Sequence, residues 1–272
     1  MSSLSKFSAA AVCGACLLAG QSARAEGLTD PTPVSGWIVT VRAHSGFSPT
    51  WDGSKNLSPF LLPGLAMRRP GVSVGFGAPD EAPGFALYDN GVVKAGVSGR
   101  LRGPRLQSSW TELRGVHDVD WTLEAGGFAE FWSFEKLRTR LEVRRGFSGH
   151  HGVVAEFYAD WVEKHGAWTF SIGPRLMLGD QSYMNKLYGV SWQESLNNGR
   201  LEPFTAWGGA KSWGAMAAVT YDWSDAWSTT AFARYNRLAG AAAAGPLVTK
   251  LGSPDQWTLG LSASYSFHVD LF

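Results

Sequence analysis

The stretch Gln256-Trp-Thr-Leu-Gly-Leu-Ser-Ala-Ser-Tyr-Ser-Phe267 decides the fold. Every second residue is apolar and the residues between are small or polar; the apolar series is Trp257, Leu259, Leu261, Ala263, Tyr265 and Phe267. Strict alternation over about 9–11 residues is what a strand needs when one face meets lipid and the other lines a lumen. The stretch is also the last predicted strand and ends on aromatic residues, as the assembly signal of outer-membrane barrels does. We therefore predict Tyr265 and Phe267 as the assembly signal.

The apolar register of this strand ends at Phe267. Counting back from Phe272 instead would place His268 and Asp270 on the lipid face. We therefore expect residues 268–272 to form a short tail that extends beyond the barrel into the periplasm.

The first 25 residues have the three parts of an export signal. Lys6 supplies positive charge, residues 7–20 form a core of small residues and leucine, and Ala23-Arg24-Ala25 is an A-x-A cleavage site. We predict a cleaved signal peptide over residues 1–25, a periplasmic leader over residues 26–35 and the barrel with its tail over residues 36–272. Both cysteines, Cys13 and Cys16, fall in the removed segment, so we expect neither a redox motif nor a zinc site.

Composition agrees with a membrane barrel from the Gram-negative outer membrane. The chain has 13 tryptophans and 33 glycines, and its net charge of +1 gives no reason to expect a nucleic-acid partner. Eight tryptophans fall at the ends of predicted strands, as in the aromatic girdles of such barrels. We therefore expect outer-membrane lipid to surround the barrel. An exported soluble β-sandwich or lipocalin-like barrel is the alternative, because alternating strands occur in both classes.

Alternating segments recur along the chain and predict an all-β fold, a transmembrane antiparallel up-and-down β-barrel of about twelve strands. The predicted strands are residues 37–46, 59–68, one that begins at Val72, 92–101, 121–131, 137–144, 153–161, 168–178, 202–209, 213–223, 227–235 and 256–267.

The long connections create a tension in the predicted orientation. With both termini periplasmic, a twelve-strand count puts residues 103–118 and 180–201 on the periplasmic side, where such barrels usually have short turns. Either the strand count is wrong by a hairpin, or these loops are the periplasmic contact surface. The second connection is also expected to have room for a short helix.

Charged residues alternate with apolar ones on three consecutive strands. If neighbouring strands pair, an acidic row, a mainly basic row and a second acidic row lie side by side on one face; these rows are Glu124 and Glu130, then Arg138, Arg140, Glu142 and Arg144, then Glu156 and Asp160. Opposite charges across strands stabilise a pair by roughly 0.2–1 kcal/mol. Inside a closed barrel, these rows would form a charge lattice that partly fills the lumen.

Three patterns that resemble catalytic or metal sites are weak. The G-x-S-x-G match around Ser73 is followed by Phe76-Gly77-Ala78-Pro79, which cannot begin the helix that a nucleophile elbow requires. Ser266, His268 and Asp270 are spaced two residues apart on one strand face, and such neighbours lie too far apart for a nucleophile and its base. His150 and His151 are adjacent and point to opposite faces of an extended chain. We therefore predict a protein that is not an enzyme and has no cofactor or metal.

Three stretches resemble the MltA-interacting protein family (MipA/OmpV) of outer-membrane proteins. The family's early S-P-x-[YW]-x-G-S loop is matched by residues 48–54, SPTWDGS. Its central motif is matched by Asp180, Tyr183, Met184, Tyr188, Gly189 and Val190. Near the end, Arg237-Leu238 and Gly245-Pro246-Leu247-Val248 stand where the family has an Arg-Leu pair and S-P-[IL]-V. Gly245 replaces the usual serine, and alanines replace the acidic residues common in that loop.

The resemblance implies a scaffold that brings a lytic murein transglycosylase together with a murein synthase of the penicillin-binding type. It makes the central motif the candidate partner site. The alternatives are a small-solute pore or a surface antigen or adhesin and, third, an outer-membrane hydrolase acting on acyl chains.

Overall fold

The computed structural model describes residues 36–68 and 75–270, and its main element is one antiparallel sheet of eleven strands. The strands are β1 Trp37–Pro49, β2 Leu57–Arg68, β3 Gly84–Asp89, β4 Val93–Arg102, β5 Thr122–Ser133, β6 Leu137–Ser148, β7 Val153–His165, β8 Trp168–Gly179, β9 Gly209–Asp222, β10 Trp227–Leu238 and β11 Asp255–Val269. The predicted signal peptide and leader, and the start of the strand predicted from Val72, lie outside the described residues.

The first and last strands pair with each other. β1 and β11 are antiparallel from Trp37 opposite Val269 to Phe47 opposite Leu259. The sheet order is β2-β1-β11-β10-β9-β8-β7-β6-β5-β4-β3, so β2 and β3 are the two edges of the described sheet. The predicted fold class, an antiparallel all-β sheet that curls into a barrel, is confirmed.

The two faces of the sheet differ in polarity as the alternation predicts. On β6, Leu141 and Val143 are exposed, whereas Arg140, Glu142 and Arg144 between them are buried. Large apolar side chains thus cover the outer face and polar side chains fill the inner one, the arrangement of a barrel in lipid. In the described residues, none of the helices combines the length and the apolar character needed for a membrane span.

The strand directions sort the connections into two groups. We call the end that holds Trp37 and Val269 the terminal end, and the opposite one the loop end. The strand registers put the short turns at residues 90–92, 134–136, 166–167 and 223–226 at the terminal end. The long connections formed by residues 103–121, 180–208 and 239–254 lie at the loop end.

The expected periplasmic placement of residues 103–118 and 180–201 is therefore wrong if the termini are periplasmic. Two strand assignments explain the error. β3 was not predicted, and it reverses the side on which every connection from residue 90 to residue 201 falls. Residues 202–209 were predicted as a strand, but they form only an isolated bridge between Val190 and Phe204. The additional strand and the missing one cancel, so the connections after residue 209 fall on the predicted side.

The C-terminal tail was also misplaced. β11 continues past Phe267, and His268 and Val269 pair with Ile38 and Trp37 of β1. The strand that closes the sheet is therefore longer than the apolar alternation predicts, because backbone pairing does not require an apolar side chain at each outward position.

Short helices occupy the long connections. They are α1 Gln181–Tyr188, α2 Trp192–Asn198, α3 Gly240–Ala244, a π-helical turn Leu247–Leu251 and a 3-10 turn Thr111–Leu113. The expected helix in residues 180–201 is present as α1 and α2. We call residues 50–56, 103–121, 180–208 and 239–254 the loop cap.

Candidate functional site: a charged lumen beneath a loop cap

The charge lattice predicted for the lumen is present. Arg138 on β6 lies 2.7 Å from Glu130 on β5 and 3.5 Å from Asp160 on β7. On the next strand, Arg175 contacts the other oxygen of Asp160 at 2.7 Å. These side chains are almost completely buried. They form a continuous network across four strands inside the sheet.

Arg144 holds three carboxylates together. Glu142 and Glu156 stand directly opposite each other on β6 and β7, a pairing of like charges that is unfavourable by itself. The Arg144 guanidinium donates to Glu142, to Glu156 at 2.6 Å and to Glu124 at 3.1 Å. Because each of its three nitrogens meets a different carboxylate, Arg144 compensates the repulsion between the two strands.

A Pro- and Gly-rich segment lies against the inner face of the sheet. We call residues 75–83 the lumen segment. Asp80 accepts two hydrogen bonds from Arg175, at 2.9 and 3.2 Å. Glu81 accepts from Arg138 at 2.6 Å, and Ala82 donates its N–H to Glu142 at 3.2 Å. The segment thus binds residues on β6 and β8 that belong to the lattice, so it lies within the lumen.

The loop cap has its own apolar core. One cluster joins α1 and α3 through fully buried side chains that include Met184, Tyr188 and Ala242. A second cluster joins Trp51 to Leu247 and to residues of the 103–121 connection. Buried apolar contacts of this kind make the cap a packed layer over the loop end of the lumen.

The central motif forms the structural base of this cap. Asp180 is the N-cap of α1 and accepts the N–H of Tyr183 at 2.7 Å. Tyr183, Met184 and Tyr188 are completely buried, and Val190 pairs with Phe204. Any partner of this motif would contact its exposed neighbours on α1, because the motif side chains face the core.

Tyr183 connects the cap to the lumen. Its ring packs edge-on against His150, with centroids 4.9 Å apart, and His150 contacts Glu124 of the lattice at 3.0 Å. Lys211 on β9 donates to the Tyr183 hydroxyl at 3.3 Å and pairs with Asp52 in the first loop. The cap and the lattice therefore share buried polar contacts.

We expect Met184→Ala to loosen the cap without opening the barrel. Truncating a fully buried methionine costs about 2–5 kcal/mol, and the Met184 side chain belongs to the apolar cluster that joins α1 to α3. Limited trypsin digestion should cut residues 180–208 faster in this variant, while the folded band on unheated gels is unchanged. Leu196→Ala, at an exposed position of α2, is the control; equal cleavage of both variants would contradict the core role of Met184.

A cleft of about 570 Å³ opens in the cap beside α1, lined in part by His117, Asn185, Glu194 and Phe204. His117 contacts Glu194 through Nδ1 at 2.6 Å. Burial alone would raise the pKa of Glu194, but hydrogen bonds from Ser191 and His117 hold this pKa at about 2. The carboxylate therefore ties α2 to the 103–121 connection.

This low pKa predicts acid sensitivity of the cap. Since the folded pKa of Glu194, about 2, lies below its ordinary value of 4.5, its contribution is complete above pH 4.5 and is lost as the pH falls towards 2. We expect the ratio of pepsin cleavage rates in Glu194→Gln and wild type to approach 1 as the pH falls from 5 to 2. Glu202→Gln, at an exposed site, should give a ratio near 1 throughout. A Glu194→Gln ratio that does not change with pH would count against this assignment.

Two of the three weak sequence patterns lie in the described residues, and neither has the geometry of a catalytic or metal site. Ser73, in the third pattern, lies outside the described residues. Ser266 hydrogen-bonds to Thr40 at 2.7 Å, whereas His268 bonds to Asp270 at 2.9 Å. His150 is buried and His151 is exposed, on opposite sides as expected. Within residues 36–68 and 75–270, no group of His, Cys, Asp or Glu is arranged to hold a metal ion.

The predicted assembly residues lie on the outer face. Tyr265 and Phe267 are both exposed and stack with ring centroids 5.8 Å apart, near the terminal end. Several lattice members were not singled out from the sequence, above all Asp80 and Glu81. Their acidic pair inside a Pro- and Gly-rich stretch was the only local signal, and it does not show which strands the segment meets.

Comparison with solved structures finds outer-membrane proteins of low identity. Neisserial surface protein A is 11% identical, with 86% of this chain and 98% of that chain covered and a TM-score of 0.29. An outer membrane channel from Pseudomonas putida F1 is 12% identical, with coverage of 88% and 100% and a TM-score of 0.36. LpxR from Salmonella typhimurium is 9% identical, with coverage of 86% and 100% and a TM-score of 0.37.

No curated protein is similar enough to this chain to count as a match. The family model described as MltA-interacting protein MipA matches residues 43–267, which span nearly the whole described sheet and its cap. This match agrees with the early loop, the central motif and the final strand identified in the sequence. The chain is therefore an outer-membrane β-barrel protein and belongs to the MltA-interacting protein MipA family.

Proposed function

We propose that this protein is a closed outer-membrane barrel that anchors a murein transglycosylase of the MltA type and acts neither as an enzyme nor as a steadily open pore. The family description supports the choice of partner. The filled lumen carries the argument against a pore, because ion-paired arginines and carboxylates and the lumen segment occupy the interior. In a planar bilayer, the purified wild type should show only rare, brief openings; a steady open-channel current would favour the small-solute pore.

The terminal end is the side on which we place the transglycosylase. Bacterial barrels of this class keep both termini in the periplasm, and murein lies there. The loop cap would then face the cell exterior. A protease site inserted at Asn197 in α2 should be cut from outside in intact cells, and protection of that site would reverse this assignment.

Phe134 is the best candidate contact at the terminal end. It forms the tip of the β5–β6 turn, has a φ of 54° and is 86% exposed. Phenylalanine is among the residues that are enriched in protein–protein interfaces. We infer that it contacts the transglycosylase directly.

The test is a binding measurement with a purified MltA-type transglycosylase and the barrel in detergent. Phe134→Ser should weaken binding. Leu196→Ser, which also replaces an exposed apolar side chain by serine but at the loop end, should not. Binding lost only with Leu196→Ser would place the partner on the other side, and no binding by the wild type would refute the proposal. Recovery of a penicillin-binding murein synthase in the same complex would extend the anchor to the full scaffold that the resemblance implies.

A second candidate function is adhesion through the loop cap. Trp192 and Leu196 are exposed one turn apart on α2, and Trp207 is exposed elsewhere on the cap. Exposed apolar side chains that lie together are a common mark of an interaction site. Trp192→Ser should then reduce the attachment of whole cells to a surface without changing transglycosylase binding. Attachment equal to that of the wild type would remove this candidate.

A further inference from the structure

The strands alone give the lattice an excess of positive charge. Seven arginines on strands take part in its ion pairs, against five strand carboxylates; the arginines are Arg100, Arg102, Arg138, Arg140, Arg144, Arg175 and Arg234, and the carboxylates are Glu124, Glu130, Glu142, Glu156 and Asp160. Asp80 and Glu81 of the lumen segment make up the difference. The barrel wall is thus cationic, and the lumen segment neutralises it.

The contacts of Asp80 are those by which arginine recognises a free anion. Both its oxygens meet Arg175, at 2.9 and 3.2 Å, in a two-point arrangement, and Arg234 lies 3.7 Å away on β10. Guanidinium groups bind carboxylates and phosphates in this geometry. Glu81 makes a single charged contact with Arg138, at 2.6 Å. The two carboxylates therefore occupy positions that could hold the anionic groups of a solute.

The lumen segment is held differently from the strands around it. Within residues 75–83 the structure contains no strand or helix. Its attachments are the ion pairs of Asp80 and Glu81, backbone contacts such as the donation by Arg100 to the Asp80 carbonyl at 2.7 Å, and the ring of Phe76, which packs against Trp132 and Arg138. A segment without a hydrogen-bonded ladder can open locally at lower free energy than the sheet that surrounds it.

We propose that the lumen is a path for small anionic solutes bearing carboxylate or phosphate groups, and that the lumen segment closes it by occupying the anion positions with Asp80 and Glu81. Withdrawal of the segment exposes Arg138, Arg175 and Arg234 to the solute. This function is independent of the proposed anchoring role, since the partner surface at Phe134 is not involved.

The test is the double variant Asp80→Ala with Glu81→Ala, measured in planar bilayers under a potassium chloride gradient. We expect openings about tenfold more frequent than in the wild type, the change that 1.4 kcal/mol produces, with a reversal potential that shows chloride selectivity. Acetate or phosphate should raise the melting temperature of the double variant more than that of the wild type, because these anions refill the vacant positions. Glu202→Ala with Asp225→Ala, which removes the same charge at exposed sites, is the control and should behave as the wild type does.

Folding of each variant is checked by its mobility on unheated gels. If the double variant does not fold, the single variant Asp80→Asn is used in its place, because it keeps the size of the side chain and removes one charge. Its openings should be less frequent than those expected of the double variant but still selective for anions. Folded Asp80→Asn that stays closed, or openings selective for cations, would overturn the proposal. Transglycosylase binding should be unchanged in all these variants, which separates this result from the anchoring role.

Discussion

Replacing Arg144 by alanine should lower the free energy of unfolding by about 3–5 kcal/mol, the range found when one partner of a buried ion pair is removed. The fully buried Arg144 guanidinium contacts Glu124, Glu142 and Glu156. Without it, three carboxylates remain close together in a site that excludes solvent. Urea unfolding of the barrel in lipid, followed by tryptophan fluorescence, measures the change.

Arg145 provides a matched control at the next position. It faces outward between Ala125 and Val153 of the neighbouring strands. Removing a charge from the lipid-facing side should be neutral or slightly stabilising. Comparable losses of stability in Arg144→Ala and Arg145→Ala would show that the lattice contributes little to stability and that general loss of arginine is the cause.

The contrast between these two arginines also explains why much of the barrel could be predicted. On β6, the period of two assigns Arg144 inward and Arg145 outward whatever the rest of the chain does, because pleated strands alternate their side chains. The lattice followed from the same local rule, applied to three strands that are joined by short turns. Local alternation and short connections therefore predict both the faces and the pairing.

The errors arise where alternation is broken or has another origin. β3 has only six residues, carries an irregularity between Ala86 and Tyr88 and follows Pro83. Residues 202–209 alternate because Phe204 and Ala206 pack into the cap core, not because they pair in the sheet. Alternation reports on one buried face and does not identify the element that buries it.

The contacts of the lumen segment could not be predicted for a different reason. Asp80 meets Arg175, 95 residues away, and Glu81 meets Arg138, 57 residues away. Charge in a Pro- and Gly-rich loop is ordinarily solvated, and only the curled sheet places this loop against a cationic wall. Long-range pairing of this kind depends on the completed barrel, not on any local sequence pattern.

Phe267→Asp is expected to prevent most of the protein from assembling into the outer membrane. Phe267 is 39% exposed on the lipid side of β11, stacks on Tyr265 and stands opposite Val39 of β1. The transfer free energy of the phenylalanine side chain alone is about 1.5–3 kcal/mol, and a carboxylate on the lipid face adds to this loss. This change destabilises the pairing of the last strand, β11, with the first strand, β1. The amount of heat-modifiable protein in isolated outer membranes measures assembly.

Ser264→Asp introduces the same carboxylate on the other face of the same strand. Ser264 lies opposite Arg42 on β1, and its side chain points inward, so the new charge meets a cation and assembly should be close to normal. Deletion of residues 268–272 should have an intermediate effect, because it removes the pairs of His268 and Val269 with β1. If Ser264→Asp fails as badly as Phe267→Asp, negative charge anywhere on β11 blocks assembly. The outward position of Phe267 would then not be the cause.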